Sequence, residues 1–130
     1  LSGGAFSIAV LLIRRGIMVA SFKVLSTPGC GRCVVTEKAI SGYGFDVEKI
    51  DVTKDQSARQ RVIDSGDTQM PRVEGKILLD GGAKKGVDCE VEWSGMNHLA
   101  LKALKTSSSS EGMIEALAKV KGVTIRQHGN

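Results

Sequence analysis

The sequence predicts an α/β fold, in which a mixed four-stranded sheet is flanked by helices and carries N- and C-terminal extensions. From residue 21 onward, two strand-like segments enclose one helix-like segment, which is the order of a βαβ unit with parallel strands. Farther along, two more strand-like segments are joined near Asp80-Gly81, a dipeptide typical of hairpin turns. With 130 residues, 42% of them hydrophobic and 25% charged, the chain is long enough for one globular domain with a core.

The βαβ unit begins with a strand over residues 22–25, a short and mostly apolar run that ends at turn-forming residues. A helix is predicted over residues 33–40, and Gly42 stands just past its end, as glycine commonly does. The second strand is predicted over residues 45–52 and is expected to run parallel to the first.

The second half of the domain is predicted to continue with a helix over residues 55–65. Two strands, over residues 76–79 and 87–93, then form the antiparallel hairpin. A helix over residues 97–105 follows, and Asn97 is suited to cap its first turn.

The predicted domain spans residues 18–105, with an extension on each side. Residues 1–17 are expected to be a leader or a vector-derived extension, because Met18 is a plausible start; a short helix or strand packed on the domain is the alternative. The apolar run 5–13 is far shorter than the ~20 residues that span a bilayer. Residues 106–130 are predicted to be a Ser-rich linker and an amphipathic helix, which docks on the domain or on another copy of the chain.

The charge of the chain argues against nucleic-acid and membrane partners. The net charge of +4 is mild, and the lysines and arginines are scattered along the sequence. Nucleic-acid-binding domains usually cluster these residues on one face, and an aromatic content of 4% leaves few rings for stacking on bases. The terminal helix has a mixed rather than densely basic polar face, which disfavours membrane binding.

The cysteines are more informative than the charge. The chain has three, an odd and low number that does not suit the disulfide framework of a secreted protein and indicates a reducing, cytoplasmic location. Cys30 and Cys33 have Cys-x-x-Cys spacing, and the third cysteine is Cys89. The predicted active-site loop around the pair also contains Thr27, Pro28, Gly29, Gly31 and Arg32.

The position of the motif, between the first strand and the first helix, predicts redox chemistry. A cysteine at a helix N-terminus meets unpaired N–H groups and the positive end of the helix dipole, and both favour the thiolate. Arg32 adds a nearby cation with the same effect. Cys30 is therefore predicted to attack a substrate disulfide. Cys33, about one turn further along the same helix face, is predicted to resolve the mixed disulfide.

The alternative interpretation of the cysteines is a non-catalytic zinc-binding module. In that case Cys30, Cys33 and Cys89 would bind the metal together with His98 or His128. The histidines and Cys89 lack the paired spacing of zinc ligands, so we predict no metal site. Cys89 is expected to be a small buried hydrophobic residue or a peripheral regulatory thiol.

The residues around the motif resemble those of the glutaredoxins, a family with the thioredoxin fold. The similarity covers roughly residues 21–105 and begins with Pro28-x-Cys30-x-x-Cys33 at the head of the first helix. Gln69-Met70-Pro71 resembles the family loop in which the proline peptide bond is cis. The resemblance implies that this loop lies beside the dithiol and that the Met70 backbone binds an extended substrate chain. Trp93-Ser94-Gly95 resembles a stretch of the NrdH-type redoxins, and it implies further substrate contacts. A buried, purely structural role for Trp93 is equally open.

The resemblance also implies the source of electrons. NrdH-type redoxins need no bound cofactor, are reduced by NADPH through thioredoxin reductase, and supply electrons to ribonucleotide reductase. An ordinary glutaredoxin would instead take electrons from glutathione. Thr27 stands where the family commonly has a glutathione-binding lysine, and residues 94–97 replace its Gly-Gly-x-Asp stretch, so thioredoxin reductase is the favoured donor.

Overall fold

A computed structural model describes residues 17–81, 84–107 and 110–128. Residues 1–16 of the predicted segment 1–17 therefore lie outside the described residues, and residue 17 is the first described one. The elements are β1 (Ile17–Ser26), α1 (Gly31–Gly42), β2 (Asp46–Asp51), α2 (Gln56–Ser65), β3 (Arg72–Gly81), β4 (Lys84–Ser94), α3 (His98–Thr106), α4 (Ser110–Ala118) and β5 (Val123–His128). None of the described helices is both long enough and apolar enough to cross a bilayer.

The strands form one mixed sheet in the order β2-β1-β3-β4-β5. β1 and β2 are parallel, and all other neighbours are antiparallel, which confirms the predicted βαβ unit and hairpin. The predicted number of four strands is wrong, because β5 adds a fifth. This strand follows a turn at Gly122, whose φ of +87° favours glycine, and it pairs with β4 from Val123 opposite Trp93 to His128 opposite Asp88.

The sheet separates two apolar clusters. The larger one contains buried residues of β1, β3 and β4 together with residues of α1, α3 and α4, so these three helices cover one face. The smaller one joins Leu25 of β1 to Val52 and to Ala58 of α2, so α2 covers part of the opposite face. The rest of that opposite face is polar; Lys23, Glu74 and neighbouring charged residues line a groove of about 460 Å³ there.

Most of the segment predicted as a C-terminal extension is built into the same core. Met113 and Leu117 of α4 are fully buried, and Val123 and Ile125 of β5 pack against the same cluster. Helix α3 ends at Thr106 and α4 begins at Ser110, so the predicted Ser-rich linker is confined to a short connection between two packed helices. The described chain is therefore one folded unit.

Candidate redox site

The loop that precedes the dithiol is a tight turn. The N–H of Cys30 donates to the carbonyl oxygen of Thr27 at 3.2 Å, and Gly29 between them has a φ of +78°. A four-residue turn with proline second and a positive φ at the third position is a type II turn, which explains Pro28-Gly29. Thr27 is half-buried, and the other loop residues named from the sequence, Pro28, Gly29, Gly31 and Arg32, are exposed.

This turn places Cys30 at the N-cap of α1. Its Sγ accepts a hydrogen bond from the N–H of Cys33 at 3.1 Å, where a capping serine or aspartate would use oxygen. The two cysteines form a disulfide with their Cα atoms 5.3 Å apart, so the structure has the oxidised pair. Cys30 is half-buried, whereas Cys33 is only 1% exposed. A substrate disulfide can therefore reach Cys30 and not Cys33.

The Gln69-Met70-Pro71 loop lies at the same end of the sheet. Arg72, directly after the loop, is opposite Leu25 near the end of β1, and β1 leads into the dithiol turn. The Met70–Pro71 peptide bond is cis, which confirms the expectation from the resemblance. Met70 packs against the larger apolar cluster, as Cys30 does. Loop and dithiol thus border the same part of the core.

The Trp93-Ser94-Gly95 stretch contacts this loop from the neighbouring strand. The N–H of Gly95 donates to the carbonyl oxygen of Pro71 at 2.6 Å. Gly95 has a φ of +69°, and a Cβ atom built on it would lie 3.4 Å from Oε1 of Gln69. Two of the predicted binding segments are therefore in direct contact with each other.

Trp93 does not belong to the binding surface that the sequence predicted. It is 1% exposed, and its ring lies 6.0 Å from that of Phe22 in the core. An indole of this size is buried between the sheet and the helices for its large apolar area, which explains its position. Ser94 is exposed and Gly95 is buried, so only the edge of this stretch reaches the surface.

The sequence analysis missed Asp67 and Arg72, which flank the loop. An Asp67 carboxylate oxygen lies 2.8 Å from the Arg72 guanidinium, and both side chains are about nine-tenths buried. Arg72 also pairs with Glu74 and with Glu92 of the polar sheet face. The signal was present in the sequence as two opposite charges five residues apart, on either side of Gln69-Met70-Pro71.

The pKa values of Asp67, beside the loop, and of Cys89, in the core, are both perturbed. Burial opposes ionisation of Asp67, but hydrogen bonds from Arg72, Ser65 and Ser94 outweigh it and hold the pKa of the carboxyl below its usual value. Burial, with a smaller contribution from the adjacent Asp88, raises the pKa of the Cys89 thiol. A buried cysteine with a raised pKa is unreactive, which favours the first of the two roles predicted for Cys89, a small buried hydrophobic residue, over a regulatory thiol.

The residues of the zinc alternative are not brought together. Among the described residues, no group of three or more His, Cys, Asp or Glu side chains is arranged to hold a metal ion. Cys89 lies within the core, and His98 is exposed at the start of α3. His128 lies at the far end of β5, where its Nε2 is 3.5 Å from a Glu90 carboxylate oxygen.

The side chain of Asn97, at the start of α3, makes two hydrogen bonds within the protein. Oδ1 of Asn97 accepts the N–H of Ala100 at 3.0 Å and caps the helix. Nδ2 of Asn97 donates to the carbonyl oxygen of Lys121, at 3.3 Å, in the turn before β5. Both polar groups of the Asn97 side chain are therefore engaged within the protein.

The chain is similar to known proteins in part of its sequence and in its structure. Residues 18–76 match the model of the glutaredoxin family. Among solved structures, the chain is similar to the glutaredoxin-like protein NrdH-redoxin from Escherichia coli, with 23% identity, a TM-score of 0.49, and coverage of 67% of this chain and 97% of that chain. It is also similar to the thioredoxin-like protein BC3987, with 25% identity, a TM-score of 0.45, and coverage of 64% and 97%, respectively. No curated protein matches the sequence significantly.

Proposed function

From the premise that the chain carries a glutaredoxin-like redox domain of the thioredoxin fold, we propose that it is a dithiol electron carrier that reduces protein disulfides. The observation that supports this most directly is the accessibility of Cys30 at a helix N-cap, with Cys33 buried and within bonding distance behind it. The two cysteines carry the electrons themselves, so the proposed reaction needs no bound cofactor.

In the first step, the Cys30 thiolate attacks one sulfur of a substrate disulfide. A bond forms between Cys30 and that sulfur, the substrate S–S bond breaks, and the leaving thiolate takes up a proton. The N–H of Cys33 points at Sγ of Cys30, and it stabilises negative charge there before the attack. The Met70 backbone beside the cis peptide bond offers hydrogen bonds to an extended substrate chain.

In the second step, Cys33 loses its proton and attacks Sγ of Cys30. The bond between Cys30 and the substrate breaks, the second substrate sulfur leaves as a thiol, and the protein retains the disulfide that the structure contains. The substrate has gained two electrons and two protons. Because Cys33 is held beside Cys30, with the Cα atoms 5.3 Å apart, this intramolecular step is favoured over attack by solvent thiols.

Thioredoxin reductase, which draws on NADPH, is the proposed donor of electrons, and ribonucleotide reductase is the leading acceptor. Two features disfavour glutathione as the donor. Thr27 stands in the position of a glutathione-binding lysine. Asn97 lies where glutaredoxins have their Gly-Gly-x-Asp stretch, and its side chain is already hydrogen-bonded to Ala100 and Lys121. The proposed donor and acceptor imply that the protein is located in the cytoplasm.

Disulfide reduction driven by NADPH tests the proposal in two arms. One arm contains thioredoxin reductase, and the other contains glutathione with glutathione reductase. We expect turnover of insulin disulfides only in the first arm, and its loss to background in Cys30→Ser. Cys89→Ala is the matched control, because it removes a thiol outside the dithiol and should keep the wild-type rate.

The other outcomes separate the alternatives. Turnover only with glutathione would identify a glutathione-dependent glutaredoxin. Turnover in neither arm, together with stoichiometric zinc that is lost in Cys30→Ser, would identify the zinc-binding module. If the first arm succeeds, reduction of oxidised ribonucleotide reductase tests the proposed acceptor.

A further inference from the structure

The carboxylate of Asp67 lies at the base of the cis-proline loop, residues 68–71. It accepts a hydrogen bond from the Arg72 guanidinium at the opposite end of the loop, 2.8 Å away, and the hydroxyl groups of Ser65 and Ser94 contribute to keeping its pKa low. The loop of residues 68–71 is therefore enclosed by a contact between the residues that precede and follow it. Its two ends are joined by a nearly buried ion pair instead of by backbone pairing alone.

A second contact fixes the end of the loop. The Pro71 carbonyl oxygen accepts the Gly95 N–H at 2.6 Å. Gly95, directly after β4, therefore holds the end of the loop in place. Gln69 and Met70 lie between these attachments, and Met70 also packs against the core.

We propose that Asp67 is a positioning residue for protein substrates, which holds the Met70 edge in the orientation that receives an extended chain beside Cys30. This inference rests on the proposed disulfide reduction and adds to it a residue that never touches the substrate. The Gly95 contact acts in the same way, since it restrains the loop rather than binding substrate directly.

The electrostatics explain why a carboxylate is needed at position 67. Arg72 is 8% exposed as a residue and has two further acidic neighbours, Glu74 and Glu92, on the polar face of the sheet. If Asp67 were neutral, those two carboxylates would draw the guanidinium toward the sheet face, and the two ends of the loop would separate. Backbone hydrogen bonding to a substrate requires fixed positions for the N–H and C=O groups of the loop. Removal of the Asp67 charge therefore lowers the rate of reduction of protein substrates.

The test uses the full chain, reduced in advance and separated from the reductant, so that it depends on no electron donor. Each variant is mixed with insulin, whose disulfides lie within a polypeptide, or with a small aromatic disulfide that needs only Cys30. For Asp67→Asn we expect the rate with insulin to fall about tenfold, the order expected for loss of one charge-assisted hydrogen bond. The rate with the small disulfide should stay within about twofold of wild type.

Two further variants complete the comparison. Ser94→Ala removes a hydroxyl group that helps to keep the pKa of Asp67 low but leaves the ion pair with Arg72 in place, so it should lower the insulin rate less than Asp67→Asn does, by about threefold. Glu74→Gln is the matched control, because it removes a different carboxylate from Arg72, 3.5 Å from Nε, while leaving the loop contacts in place. It should react with both disulfides at the wild-type rate.

Equal loss of both rates in Asp67→Asn, or no loss of either, would overturn the positioning role. If the wild-type protein reduces neither disulfide, the proposed function fails, and amide hydrogen exchange then decides the inference separately. Faster exchange at residues 68–70 in Asp67→Asn than in Glu74→Gln would support the restraint of the loop. Equal exchange would exclude it.

Discussion

At the scale of single residues, the ring of Phe22 packs directly on Gly75, which has no side chain. These residues lie opposite each other in β1 and β3, and a Cβ atom built on Gly75 would be 2.2 Å from Cε1 of the ring. The ring is held in place by Phe45 at 5.3 Å and Trp93 at 6.0 Å between ring centroids. Glycine is therefore required here by the space that the aromatic ring occupies.

Gly75→Ala should destabilise the protein by about 1–3 kcal/mol, the usual cost of overpacking, because the ring cannot move away from the added methyl group. The free energy of unfolding in urea measures this. Gly42→Ala is the control, since a Cβ atom at the end of α1 meets nothing within 4 Å. Equal stability of the two variants would contradict the packing argument.

At the scale of elements, each described helix start that faces the redox end of the sheet is capped by a side chain. Cys30 caps α1, Asp55 caps α2 and Asn97 caps α3. Asn97 differs from the other two because its amide also donates to Lys121, which links α3 to the turn before β5. One side chain thus connects the redox domain to its C-terminal strand.

Asn97→Ala should cost about 1–2 kcal/mol, because it removes a cap and leaves the Lys121 carbonyl without this donor. Asn97→Asp retains the cap and cannot donate, so we expect an intermediate loss of stability. Urea unfolding of both variants, with Asp55→Ala as a cap-only reference, measures the difference. If Asn97→Asp is as stable as wild type, the bond to Lys121 contributes nothing.

Much of this arrangement could be predicted from local patterns. The βαβ unit follows from short apolar runs, turn residues and the position of the dithiol, all of which lie close together in the sequence. β5 was missed because only Val123 and Ile125 alternate inward, and six residues with two half-buried side chains give a weak signal. The contact of Asp67 with Arg72 depends on how the loop between them folds back, and local periodicity does not contain that information.

At the scale of the whole molecule, residues 110–128 are part of the domain rather than an appendage. Leu117 of α4 is 0% exposed and lies in the same cluster as Cys33, while β5 extends the sheet. Lys119, directly after α4, is exposed and forms an ion pair with Glu115 of that helix, with the charged atoms 3.6 Å apart. Substitution of Leu117 therefore tests the packing of α4, and substitution of the exposed Lys119 is its control.

Leu117→Ala should destabilise the whole domain by about 2–5 kcal/mol, as truncation of a buried leucine generally does. Lys119→Ala should change stability by less than about 0.5 kcal/mol. Unfolding followed by the fluorescence of Trp93, which lies in β4, reports on the sheet and not on α4 itself. An unchanged midpoint for Leu117→Ala would mean that α4 does not stabilise the sheet.

The burial of Cys33 by a core that extends to β5 has a consequence during biosynthesis. Cys33 leaves the ribosome roughly 95 residues before the last strand of its core, which at about 5–20 residues per second is a delay of roughly 5–20 s. Until that core has formed, Cys33 is not buried, so both thiols of the motif are open to oxidants. They are also open to Cys89 after it has left the ribosome. The difference in reactivity between Cys30 and Cys33 is thus a property of the completed fold, and a nascent chain must rely on its surroundings to keep all three thiols reduced.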